Sequence, residues 1–165
     1  MANGKLEIGL GALGFARQIT TSLFGDIPQD QQTFQPLPGA NHALWIIGHV
    51  GVADAFFLKE AAGQETKDLD RWLSLFFMGS KPMPRAADYP PLAEIRGLFD
   101  GSRERLITWA GSLSESQLDA PLPDSIKDFG ASHAHLLGNL AVHEGLHAGQ
   151  LTVIRKALGL VPKFG

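Results

Sequence analysis

The chain has no cysteine among its 165 residues. That absence excludes disulfides, thiolate metal sites and a cysteine nucleophile together, and leaves the redox compartment open. Basic residues are few and scattered. The 14 Lys and Arg against 17 Asp and Glu give a formal charge of −3, and no Lys/Arg cluster occurs. A nucleic-acid partner needs a basic patch to neutralise phosphates, so none is expected. Long apolar runs are missing too. None approaches the ~20 residues that span a bilayer, so no membrane partner is expected. The opening stretch, MANGKLEIGLGALGFARQ, lacks a charged start followed by an uninterrupted apolar core. It makes a poor secretory signal, and the expected location is the cytoplasm. Strand-like alternation is nearly absent, and there is no internal repeat and no G-x-S-x-G nucleophile elbow.

Helical spacing is what the chain does contain. Its 44% apolar and 19% charged residues are an ordinary globular composition, and the length suits one domain over residues 1–165. A first segment runs from about Lys5 to Phe24 on Leu6, Leu10, Leu13 and Ile19. Gly9, Gly11 and Gly14 each lower its helix propensity by ~1 kcal/mol relative to Ala. Asp26 to Pro38, rich in Pro, Gln and Asp, reads as a loop. A second segment starts near Asn41, a good N-cap residue, and reaches about Ala62. A third opens on Pro90-Pro91, suited to a first helical turn, and stops near Gly111. A fourth starts near Ser132 and ends at Gly159, with Pro162 beyond.

Four long helical segments imply an all-α four-helix bundle. The connection from Gly63 to Tyr89 is long, and its DRWLSLFFMG reads as a short helix. A bridge of that length lets the second and third helices run parallel, so a crossover topology is expected. The Leu75-Phe76-Phe77-Met78 run is expected to plug the core beneath this bridge; a pocket wall and a dimer contact are the alternatives. GLGALG at residues 9 to 14 literally matches G-x-G-x-x-G. A dinucleotide site needs a preceding strand and a βαβ unit, neither of which is present, so glycines for close helix contact or a loosened first helix are expected instead.

The chemistry concentrates in AVHEGLHAGQ, residues 141 to 150, where His143-Glu144-Gly145-Leu146-His147 matches the H-E-x-x-H pattern of zinc proteases. Residues four apart stack on one helix face, ~5–6 Å apart. Leu136, Leu140, Leu151, Ile154 and Leu158 define the apolar stripe of this segment, and both histidines fall on it. Burying two adjacent imidazoles is unfavourable unless each is satisfied. A shared cation satisfies both, and a hydrogen-bonded pair is the alternative. A protease needs a third ligand downstream, yet AGQLTVIRKALGLVPKFG contains no His, Asp or Glu, and Val153 stands where a metzincin has its third His. The third ligand must therefore come from upstream. His49 is the best candidate: it lies mid-helix in the second segment, with Trp45, Val52, Ala53 and Phe56 on its face. His42, ~10 Å from His49 along the axis, sits at a helix start and is expected to be exposed. His133 and His135 lie at least ~12 Å from His143 and could line a pocket mouth.

Three neutral histidines leave a divalent ion its full charge, able to acidify a bound water or thiol. Zinc, nickel and iron all accept imidazole. Glu144 is a candidate general base or supporting residue, although a surface glutamate would fit the same position. Gln150 could hold a ligand or a histidine N–H.

A mid-helix His in WIIGHV, followed far downstream by NLAVHEGLHAGQLTVIRKALGL, resembles the DinB-like (YfiT-like) metalloenzyme superfamily. The resemblance is most specific at HAGQL and at Arg155, Leu158 and Gly159, and it extends over Asn41 to Leu160. It implies a four-helix bundle with a crossover, frequent homodimers, and metal ligands at His49, His143 and His147. It also implies a metal-dependent transferase or hydrolase acting on a small-molecule electrophile. A low-molecular-weight thiol cofactor such as bacillithiol or mycothiol is among the possibilities that the family brings. A non-catalytic metal- or ligand-binding bundle is the alternative.

Overall fold

Each segment with helical spacing forms a helix in the computed structural model, which describes residues 4–164. The long helices are α1 (Gly4–Gly25), α2 (Ala43–Ala62), α4 (Leu92–Gly111) and α6 (His133–Ala157). Two short helices, α3 (Leu69–Phe76) and α5 (Glu115–Asp119), lie in the connections. Among the described residues there is no strand.

Local chemistry sets the boundaries. Ser132 caps α6, its hydroxyl accepting from the backbone N–H of His135. At α2 the cap is His42 and not the expected Asn41: the His42 Nδ1 accepts from the Trp45 N–H at 3.0 Å. Pro91 stands at the cap of α4, one place before its first helical turn. Gly63 ends α2 with φ at 65°, a left-handed conformation that glycine adopts without steric penalty.

α1 packs along α6, and α2 along α4. The direction follows from paired contacts. Arg17 meets Glu144 and Leu23 meets Arg155, so α1 and α6 run parallel. Asp54 meets Arg103 and Glu65 meets Arg105, so α2 and α4 also run parallel. Asn41 meets Gln150 while His49 meets His143, so the two pairs are antiparallel to each other. Two consecutive long helices running the same way require a crossover, and residues 63–91 supply it, as the length of that connection implied.

α2 is the central helix, buried on nearly every side, in keeping with a sequence that is apolar all round. Its glycines are contact points. A Cβ on Gly51 would lie 2.8 Å from the Phe99 Cα of α4, and one on Gly48 would lie 2.4 Å from the Phe76 ring. Side chains there would push apart the helices that surround the site. Phe76 is the expected plug, fully buried, whereas Phe77 and Met78 line a cavity. In the GLGALG stretch, Gly9 gives close helix contact: its Cβ would meet the Leu137 Cβ at 3.0 Å, while Gly11 and Gly14 face open space.

Candidate metal centre

His49 comes from the middle of α2 and His143 and His147 from successive turns of α6. The antiparallel packing of these helices brings the three rings together. The Nε2 of His143 lies 3.1 Å from that of His49 and 3.3 Å from that of His147. One ligand atom from each residue can be chosen so that all lie within 4.8 Å of one another, a grouping that could hold a metal ion. Trp45, one turn before His49, stacks on its ring at 4.7 Å with an interplanar angle of 8°. His49 is 4% exposed and His147 9%, while His143 is half-buried.

The outer nitrogens decide what the inner ones can do. The His49 Nδ1–H donates to the Phe76 carbonyl at 2.7 Å, one of the α3 carbonyls without a partner inside its helix. The His147 Nδ1–H donates to the Gln150 Oε1 at 3.2 Å, and Asn41 Nδ2 donates to that same oxygen at 3.1 Å. A neutral imidazole carries one N–H. With Nδ1 protonated, the Nε2 atoms of His49 and His147 are both acceptors, and both face the Nε2 of His143. One hydrogen on His143 can serve only one of them well. A cation satisfies all three lone pairs at once, so the donor set fits a divalent metal.

Burial also keeps the rings neutral. It lowers His49 to about 4, with the neighbouring His147 and His143 adding to the fall. It lowers His143 to about 4, helped by His147 and by the positive charge of Arg103. Burial lowers His147 as well, partly opposed by Gln150 and Glu144. Neutral imidazole is the metal-binding form.

Glu144 occupies a different environment from its neighbour His143. It is fully buried. Its Oε1 accepts from Arg17 Nε at 2.9 Å and its Oε2 from Arg103 Nη2 at 2.7 Å. Asp54 completes the group, accepting from Arg103 Nε at 2.8 Å and from Arg17 Nη2 at 2.9 Å. The quartet takes one residue from each long helix. Arg103 Nη1 also donates to the Leu13 carbonyl at 2.9 Å, Arg17 Nη1 donates to the Phe99 carbonyl, and the Arg17 guanidinium lies 3.5 Å from the Phe99 ring centroid. The surface placement considered for Glu144 is therefore corrected, and neither of its oxygens is hydrogen-bonded to a histidine among the described residues. Sequence reasoning missed Arg17, Asp54 and Arg103. The one available signal was Asp54, an acid inside the otherwise apolar VGVADAFFL.

The remaining histidines lie apart. His42, expected to be exposed, is fully buried: besides capping α2, its Nε2–H donates to the Met83 carbonyl at 2.9 Å. Once Nδ1 serves the cap, only an interior acceptor can use Nε2. The His133 Nδ1–H donates to the Gln117 carbonyl at 2.8 Å, and its ring meets Trp109 edge-on. His135 lines an open cavity between α1 and α6 with Ser132 and Gly138.

Fold and site together define a crossover four-helix bundle whose three-histidine cluster is compatible with metal binding. The chain belongs to the DinB superfamily, whose profile matches residues 12–151. A search of curated proteins returns no match. No helix among the described residues is long and apolar enough to cross a membrane.

Proposed function

We propose that the protein is a metal-dependent enzyme acting on a small-molecule electrophile, with His49, His143 and His147 as the metal ligands. The observation that carries this reading is the convergence of three Nε2 atoms, two of them fixed as acceptors by hydrogen bonds on the far side of the ring. No fourth His, Cys, Asp or Glu joins the group among the described residues, which favours an open site over a closed structural one. A divalent ion held there, zinc or nickel by ligand type with iron also accommodated, would supply Lewis acidity and make a water or a low-molecular-weight thiol a better nucleophile at neutral pH.

The chain's own residues orient and insulate. Phe76 and Gln150 fix the tautomers of two ligands, and the Trp45 ring covers one face of His49. We assign Glu144 to holding the bundle together and not to acting as general base, because both of its oxygens are engaged by guanidinium groups. Gln150 is a supporting residue in this reading. The homodimer expected from the family remains a proposal as well: exposed Ile8 and Phe15 on α1 and Val142, Leu146 and Val153 on α6 are available to it, and sedimentation of the full chain reads it.

Turnover of model electrophiles with bacillithiol, mycothiol, glutathione or water as nucleophile tests the activity. We expect at least one nucleophile to support turnover, and His49→Ala and His147→Ala to abolish it. Undiminished turnover in both variants would reject the site.

A further inference from the structure

One wall of the histidine cluster opens onto a cavity of about 310 Å³, within the range of roughly 300–1,000 Å³ typical of small-ligand sites. An arc of rings bounds it. Phe77 meets Phe56 at 4.8 Å, Phe56 meets Phe57 at 5.3 Å, Phe57 meets Phe129 at 4.2 Å, and Phe129 meets His143 edge-on at 6.4 Å. His49 and Ala53 form part of the floor, and the exposed Met78 stands at the rim. The arc joins three parts of the chain that are distant in sequence: α2, the end of α3 and the turn before α6. An apolar cavity of roughly 150 Å³ already accommodates benzene, so this one has room for a substituted ring.

Charge narrows the choice. Among the described residues no Lys or Arg lines the cavity, and Asp128 is its one charged side chain. Lys127, next in the chain, pairs instead with Asp124 at 3.6 Å. Ser125, also at the rim, donates to Glu60, which brings a second carboxylate near the mouth. In the metal-free chain an anion lodged among the rings would lose its water, find no cation among the described lining residues and face Asp128.

We propose that the cavity formed by Phe56, Phe57, Phe77, Phe129 and His143 seats an uncharged aromatic molecule, and that it is the pocket for the electrophile. The assignment as an electrophile pocket rests on reading the histidine trio as a catalytic metal site. The seat for an aromatic ring does not.

Benzyl alcohol and benzoate share a ring and differ in charge. The test titrates each into the full chain after treatment with a chelator, so that carboxylate coordination to an ion cannot mask a poor fit, and follows binding by ligand-detected NMR. Benzyl alcohol is expected to bind saturably, with benzoate at least about tenfold weaker. Ala53→Phe fills the floor and Phe77→Ala removes a wall, and each should weaken benzyl alcohol by about tenfold. If Ala53→Phe does not fold, Phe77→Ala, at a partly exposed site beyond the end of α3, decides alone. No saturable binding of benzyl alcohol, equal affinity for benzoate, or wild-type affinity in the folded variants would overturn the proposal. His147→Ala separates the two readings, because His147 does not line the cavity. It should lower metal affinity by more than about 100-fold and leave benzyl alcohol affinity intact, so either reading can fail without the other.

Discussion

α6 carries two buried polar clusters within one turn, and they are built on opposite principles. At Glu144 both carboxylate oxygens meet a guanidinium, and Asp54 is likewise engaged by both arginines, so positive and negative charge balance inside the bundle. At His143 and His147 the inward nitrogens meet only other nitrogens. The quartet matches every acceptor with a donor, whereas the trio has one hydrogen facing two acceptors. The difference teaches which cluster the fold satisfies by itself and which is fitted to hold a metal ion, although H-E-x-x-H prints them as adjacent letters.

Removing one member from each cluster should therefore have unlike consequences. The largest effect is expected for Glu144→Ala, which leaves Arg17 and Arg103 with an uncompensated buried charge. Loss of one partner from a buried pair costs about 3–5 kcal/mol, read here as a lower midpoint in urea. A loss below about 1 kcal/mol would mean that water or rearrangement relieves the arginines, and the contrast with the trio would fade. In the metal-free chain His143→Leu is expected to cost less, about 1–3 kcal/mol, because it leaves the neutral Nε2 acceptors of His49 and His147 without the one hydrogen that could serve them. The same variant should lower metal affinity by more than about 100-fold, beyond the about 10–100-fold typical of losing a supporting residue. Gln150→Ala belongs to that smaller class. We expect it to weaken metal binding by about 10-fold or more while leaving the urea midpoint nearly unchanged. A titration showing wild-type affinity would remove Gln150 from the site.

A pH dependence specific to the trio is expected as well. His49 and His143 have folded-state values of about 4, below the ordinary value of ~6.5 that they regain on unfolding. Between those limits the unfolded chain binds more protons than the folded one. Stability of the metal-free chain should therefore be flat above about pH 6.5 and fall as pH drops towards about 4. His49→Phe should flatten that slope in a series of melting curves. An unchanged slope would show that the rings already protonate in the folded state.

Much of this was legible in the sequence. Apolar periodicity located all four long helices, and the length of the Gly63–Tyr89 connection anticipated the parallel packing of α2 and α4. The three histidines were readable for the same reason: a polar residue on an apolar stripe breaks a strong pattern. The quartet was not readable as a group, because its members come from four helices and only Asp54 stands out within its own. Glu144 was misjudged because adjacent residues on a helix point about 100° apart, so its neighbours in sequence are not its neighbours in space. His42 was misjudged because Asn41 and His42 both stand at the start of α2, and only the backbone angles select which side chain reaches the Trp45 N–H. The aromatic cavity was legible only at Phe77 and Met78, where a pocket wall was the alternative reading; its other walls come from α2 and the turn before α6, whose meeting depends on the crossover.

The central claim is that the trio binds a cation through three imidazoles. Protein purified without an affinity tag should hold, or take up on titration, one equivalent of a divalent metal, and its X-ray absorption spectrum should show three imidazole ligands in the wild type and two in His49→Ala. A chain that takes up no divalent metal, or one whose metal spectrum is indifferent to His49→Ala, would contradict it.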